Sequence, residues 1–160
     1  MKARWAERAN YWQTSVHPAK SQAEIIARLE DFGTSNLAII QGQANGRVAW
    51  AVRFGWQGRS YRFLFTPLEC EYPDKLASFG SRRRTHAEQA RYQMGRIAVH
   101  FTKAVLTAAE ASPDALFGFL ELPSGGSMPM TAAELDVSGV VSLLPEPAIE
   151  GSYQLLSGEE

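Results

Sequence analysis

Apolar and polar residues alternate twice between Arg47 and Phe65, and the rest of the chain can be read outward from that stretch. Val48, Trp50, Val52 and Phe54 interleave with Arg47, Ala49, Ala51 and Arg53, the period-two pattern of a strand with one buried face. After Gly55-Trp56-Gln57-Gly58 the alternation resumes, with Tyr61, Phe63 and Phe65 on one side and Ser60, Arg62 and Leu64 on the other. A two-residue loop at Trp56-Gln57 predicts a hairpin pairing Phe54 with Arg59 and Trp50 with Phe63. A strand over Leu37 to Gly42, turned by Asn45-Gly46, extends it to a three-stranded antiparallel meander. The aromatics fill one face. The other holds Ala38, Ile40, Ala49, Ala51 and Leu64 with Arg47, Arg53 and Arg62.

A helical period appears twice. Ser21 and Glu24 form a capping box after the break at His17-Pro18, and Ile25, Ile26, Leu29 and Phe32 give a short helix its apolar side before Gly33 stops it. Thr85 and Glu88 form a second capping box. It opens a long helix, to about Ala111, with an apolar stripe of Ala87, Ala90, Met94, Ile97, Ala98, Phe101, Val105 and Ala108. This stripe is the natural cover for the aromatic sheet face. Gly95, costing about 1 kcal/mol relative to Ala in a helix, signals close packing or a kink. Leu116 to Leu122 predicts a fourth strand, buried on both sides. Pro123 to Pro129 reads as a turn, Thr131 to Leu135 as one helical turn with Thr131 and Glu134 in capping positions, and Val140 to Leu144 as a short apolar stretch. The fold class expected is α+β: an antiparallel β-meander packed against one long amphipathic helix, with a further strand after it. Residues 1–20 form an N-terminal arm, 21–147 a single domain, and 148–160 an acidic mobile tail.

Composition adds one polarity. The chain has 160 residues and a formal net charge of -1, but all 16 Lys and Arg lie between Lys2 and Lys103. That part, up to Ala109, holds eight acids and so carries +8, whereas Glu110 to Glu160 holds nine acids and no Lys or Arg, giving -9. Such asymmetry points to an anionic partner for the first part, or to the two parts neutralising one another. The single cysteine, Cys70, excludes an internal disulfide and makes a reducing, cytoplasmic setting the default. Without a helix start or basic cluster beside it, Cys70 reads as a packing residue. No apolar run is long enough to span a membrane, and MKARWAERANYW lacks the apolar segment of a secretory signal.

Candidate chemistry is sparse. Glu69, Glu71 and Asp74 are close enough in sequence to be weighed as a metal site, but no His or Lys completes it, and loops are commonly acidic for solubility. His100 has no His or Cys at helical spacing and reads as a surface residue. Trp5, Tyr11 and Trp12 on the arm either cover the core or stack on bases; large aromatics more often bury. Phosphate loops, dinucleotide fingerprints, paired metal motifs and nucleophile elbows are missing, so neither a cofactor nor a catalytic residue is assigned.

The landmarks also occur in a familiar order: a capped helix ending in Gly33, a strand-rich segment closing with Arg62-Phe63 and Pro67, Arg82-Arg83-Arg84, the long helix, Phe119-Leu120-Glu121-Leu122-Pro123-Ser124-Gly125, and Leu143-Leu144-Pro145. From Ser21 to Pro145 this resembles a widespread family of small uncharacterised proteins encoded by bacteriophages and prophages. The resemblance implies a protein of a mobile genetic element acting in a DNA or RNA context, and no catalytic residues are carried over. The sequence departs where that family has a Trp-Arg pair and a Lys-rich central helix, since the helix here reads GRIAVHFTKAVLTAAEA, and the Trp-rich arm lies outside the pattern. Three strands followed by a long helix also resemble the core of single-strand annealing proteins, an analogy of fold alone.

The expectation is a non-catalytic protein that binds nucleic acid, single-stranded DNA above all. Arg47, Arg53 and Arg62 on the sheet and Arg82, Arg83 and Arg84 before the helix would contact phosphate, supported by Arg96 and Lys103. The alternative is an adapter or assembly subunit whose basic part meets the acidic part of another copy as a homo-oligomer. A third reading has the acidic part shielding the basic face until nucleic acid displaces it, so that truncation after Leu144 tightens binding.

Overall fold

The computed structural model describes residues 4–122 and 130–134. The expected turn over Pro123 to Pro129, the stretch Val140 to Leu144 and the tail 148–160 lie outside them. The architecture is α+β, as the periodicities require: an antiparallel sheet covered on one face by two helices.

Strands β1 (Ser35–Ala44), β2 (Arg47–Trp56) and β3 (Arg59–Phe65) form the meander in the order β1-β2-β3. Asn45-Gly46 makes the first turn with both residues at positive φ (51° and 73°), the geometry of a tight type I′ hairpin. The second turn is Gln57-Gly58 (49° and 74°), one residue later than the loop expected. Trp56 stays extended opposite Arg59, so Phe54 faces Tyr61, Trp50 faces Phe65, and Arg53 faces Arg62. The register moves by two residues, which leaves every side chain on its expected face.

Helix α1 (Pro18–Asp31) begins three residues before the expected cap. Pro18 at its first position is preorganised for the helix, and the His17 ring Nδ1 accepts the Ala19 N–H at 3.1 Å. Gly33 (φ +85°) ends it in a Schellman arrangement, with Thr34 N–H donating to the Leu29 carbonyl and Gly33 N–H to that of Glu30. Helix α2 (His86–Ala111) starts at the expected capping box: the Thr85 hydroxyl accepts the Glu88 N–H, and the Glu88 carboxylate accepts the Thr85 N–H.

The core joins Trp50, Val52, Phe54, Tyr61, Phe63 and Phe65 of the sheet to Ile25 and Leu29 of α1 and to Met94, Ala98, Val99, Leu106 and Ala109 of α2. Phe63 lies at its centre, with ring centroids 5.1, 5.3 and 4.9 Å from Phe54, Phe101 and Phe119, all edge-on. Ala87 and Ala108 of the expected stripe are exposed, and the buried face instead extends to Gln89, Gln93, Val99, Thr102, Leu106 and Ala109. The face is wide because α2 is flanked by α1 and by the N-terminal arm.

At Gly95 the backbone of α2 packs directly against Ser21 of α1. A Cβ there would stand 3.0 Å from both Cβ and Oγ of Ser21 and 3.3 Å from Trp50 Cη2, so the glycine serves contact, within an unbroken helix. Gly95→Ala is expected to lower stability by about 1 kcal/mol, because crowding of about 1–3 kcal/mol outweighs a helix-propensity gain of about 1 kcal/mol. Chemical denaturation checks this; a more stable variant would show that Ser21 can yield.

The expected fourth strand is mostly something else. Pro113–Phe119 forms 3₁₀ turns, Leu116 and Phe119 pack on the core, and only β6 (Glu121–Leu122) is extended, paired with β7 (Met130–Thr131). Pro113 starts a helical turn after α2, and a short apolar run does not distinguish a strand from a helical segment by periodicity. The turn expected near Thr131 is a 3₁₀ turn over Ala132–Glu134, with the Thr131 N–H donating to the Glu134 carboxylate. Leu76–Phe79 (β4) and Arg82–Thr85 (β5) pair as a small hairpin in what reads as loop, Gly80 supplying the positive φ (64°) its turn requires.

Candidate nucleic-acid interface

The eight basic residues singled out in the sequence do not converge on one open surface. Arg53 and Arg62 do project together from the outer sheet face, directly opposite one another, where like charges repel unless compensated. Each is compensated by an acid from beyond α2. Arg53 makes a bidentate pair with Glu121 (2.8 and 2.7 Å), and that carboxylate's hydrogen bonds hold the guanidinium pKa above its ordinary value. Arg62, only 6% exposed, donates to Glu134 at 2.7 Å. These two arginines therefore anchor the acidic part of the chain rather than offer a free docking face, and part of the charge asymmetry is neutralised internally. Arg47 donates to the Pro67 carbonyl and lies 3.8 Å from Glu69. Arg96 pairs with Glu24 of α1 at 2.9 Å. Lys103 lies near Asp31 and Glu110 around a separate depression, about 18 Å along α2 from Arg91 at ~1.5 Å per residue.

Arg82, Arg83 and Arg84 are brought to the start of α2 by the β4–β5 hairpin, and alternation along β5 divides their roles. Arg82 and Arg83 are exposed. Arg84 turns inward: its guanidinium lies 3.8 Å from the Tyr92 ring centroid and donates to Gln89 Oε1 at 3.0 Å. Arg84 thereby holds the Tyr92 ring in place beside the outer two. Arg91, which belongs to no motif in the sequence, is exposed about one helical turn and a half beyond the cap and joins them. With Pro18, Tyr92 and the Glu88 carboxylate these arginines line an open cleft of about 380 Å³, in which four guanidiniums outnumber the one acid. Arg91 also lines a second cleft, of about 360 Å³, with Trp5, Arg47, Val48 and Leu68. Arg91 thus lies on the lining of both clefts, and Trp5 at the far one is 39% exposed. Among the described residues Arg82, Arg83 and Arg91 make no ion pair within 4.0 Å. The capping box fixes the phase of α2, and that phase was the signal from which Arg91 could have been found.

The arm that carries Trp5 is held down by buried polar groups. Gln89 Nε2 donates to the carbonyls of Trp12 and Thr14, both at 2.7 Å, and Gln93 Nε2 donates to those of Ala6 and Asn10, both at 2.9 Å. The two glutamines, four apart on one helix face, satisfy carbonyls that an irregular segment cannot pair with itself. Trp12 sits in a small second core with Ala6, Phe79 and Ala90. Glu7 accepts from His86 Nδ1 (2.9 Å) and from the backbone N–H groups of Glu71 and Tyr72. Burial alone would raise the Glu7 pKa, but these hydrogen bonds outweigh it and hold the carboxyl at about 2. Tyr11 is exposed and stacks on His100, centroids 4.6 Å apart.

The remaining candidates, Cys70 and the acidic residues near it, are engaged within the chain. Burial, with the nearby Glu7 charge, pushes the Cys70 thiol up to about 11, and the thiol donates to the His86 carbonyl. Glu69 and Glu71 face Arg47 and Arg8, and among the described residues no three His, Cys, Asp or Glu side chains gather as metal ligands. No helix among those residues is long and apolar enough to cross a membrane. Comparison with protein-family models, curated proteins and solved structures finds no match to the chain.

Proposed function

We propose that this protein binds single-stranded nucleic acid along the two clefts that Arg91 lines. The observation that carries the reading is the convergence of Arg82, Arg83 and Arg91, free of ion pairs among the described residues, beside the rings of Tyr92 and Trp5. Guanidiniums that follow a backbone, with aromatic rings on which bases stack, are what sequence-tolerant single-strand binding uses. A duplex sequence reader would present base-contacting side chains on a helix shaped for the major groove, and the exposed flank of α2 here carries His100, Lys103 and Ala108. The resemblance to bacteriophage and prophage proteins supports a DNA or RNA setting. Compared with the expectation from sequence, the contacts move from Arg53 and Arg62 to Arg91 and Trp5.

The test is fluorescence anisotropy with a labelled oligothymidine at two or more salt concentrations. Affinity is expected to fall steeply with salt, and the triple change R82A/R83A/R91A to reduce the slope of log K against log salt by about 2, at ~0.7 per phosphate contact for single strands. Trp5→Ala should weaken binding about 5- to 150-fold while leaving the slope unchanged, because it removes stacking and no charge. No binding at low salt, or binding indifferent to salt, would sink the proposal.

A further inference from the structure

Among the described residues the meander has one edge flanked by further chain and one without a paired strand. Along β3, Tyr61 bridges to Leu120 and the β6–β7 segment lies alongside. Along β1 no strand pairs on the outer side among the described residues. Open edges in soluble proteins are commonly blunted by Lys, Pro, a bulge or a short length. β1 is ten residues long, SNLAIIQGQA, with neither a charge nor a proline, and its one irregularity lies at the Ser35 end. From Ala38 to Ala44 it runs in regular register with β2, offering about 24 Å of straight backbone at ~3.4 Å per residue. Ile40, third of the seven residues in that run, is 48% exposed.

We propose that β1 is a dimerisation edge, at which two copies of this chain pair β1 to β1, antiparallel across a two-fold axis near Ile40, into one continuous six-stranded sheet. A second copy is the occupant this strand fits. Antiparallel pairing of a strand with itself is isologous and closes the symmetry, leaving no further edge to propagate. An uncharged strand meets its copy without repulsion, and it has nothing with which to select a charged partner. Arg53, beside Ala38 on the outer face, is already neutralised by Glu121. The Ile40 side chains would cover one another, flanked by Ala38 and Gly42. A single strand pair is a small interface, so the dimer belongs to the weak, reversible class. The inference is independent of nucleic-acid binding.

Sedimentation velocity of the full chain, from roughly 5 to 300 micromolar as suits an interface of this class, should show a monomer–dimer equilibrium that added salt does not dissociate. Ile40→Lys and, separately, Gly42→Lys place like charges on the paired edge. Each should weaken dimerisation at least tenfold with an unchanged circular dichroism spectrum and, at concentrations where the parent is monomeric, an unchanged melting temperature. Gly42→Lys is the safer variant for folding, since an added Cβ there meets nothing within 4 Å. The proposal fails if the chain is monomeric throughout, if both variants dimerise as the parent does, or if salt dissociates the dimer. A full chain that stays monomeric while a chain ending at Glu134 dimerises would assign the edge to the protein's own C-terminal segment, and would equally overturn it.

Discussion

Phe63→Ala is expected to reduce the free energy of unfolding by about 3–5 kcal/mol, the range for deleting a large aromatic from a packed core. Phe63 is 1% exposed, and its ring is met edge-on by Phe54, Phe101 and Phe119, which belong to a strand, a helix and a 3₁₀ segment. No single neighbour can relax into the void without leaving the others, so the cavity stays open. A domain of this size has about 5–15 kcal/mol to lose, and the melting temperature should fall by about 10 °C. Phe117, 62% exposed on the same 3₁₀ segment, is the control: its replacement by Ala should change stability by less than about 0.5 kcal/mol. Equal effects in urea titrations would mean the aromatic cluster is not the centre of the fold.

Glu7→Ala should cost about 2–4 kcal/mol, because it leaves the buried His86 ring N–H and two backbone N–H groups without their acceptor. The same carboxylate predicts an acid response. Its folded pKa of about 2 lies below the ordinary value of 4.5, so folding favours the ionised form. The stabilisation is therefore complete above about pH 4.5 and is lost as pH falls toward 2. Trp12, edge-on to His86 at 5.2 Å, reports the event by its fluorescence. In Glu7→Gln the step in that window should disappear. A parent protein whose arm stays docked at pH 2, or a variant that keeps the step, would assign the acid response elsewhere.

The parts of the fold that were legible are those in which neighbours along the chain do the work. Which hairpin residues face the core follows from alternation, and it survives a turn placed one residue early because the register moved by an even number. The start of α2 follows from the reciprocal hydrogen bonds of Thr85 and Glu88, three residues apart. The same logic fails at Ser21 and Glu24, where a proline one turn earlier starts α1 and Ser21 becomes the contact that Gly95 accommodates. It fails again at Leu116 to Leu122, whose apolar run satisfies the core as 3₁₀ turns as well as a strand would. Gln89 and Gln93 are not members of the apolar stripe that periodicity picks out, and only the arm lying across α2 makes them its clamps.

By itself the sequence determined the class of architecture, the Asn45-Gly46 turn, the Gly33 stop, the Thr85/Glu88 capping box, and the concentration of positive charge before Lys103, since each rests on local spacing and composition. Only the tertiary structure decided which of those charges are paired among the described residues. Arg53 meets Glu121 and Arg62 meets Glu134 across separations of 68 and 72 residues, whereas Arg82 and Arg83 meet Arg91. Whether a guanidinium is free or occupied depends on which distant segment folding lays beside it, and no period or motif along the chain encodes that.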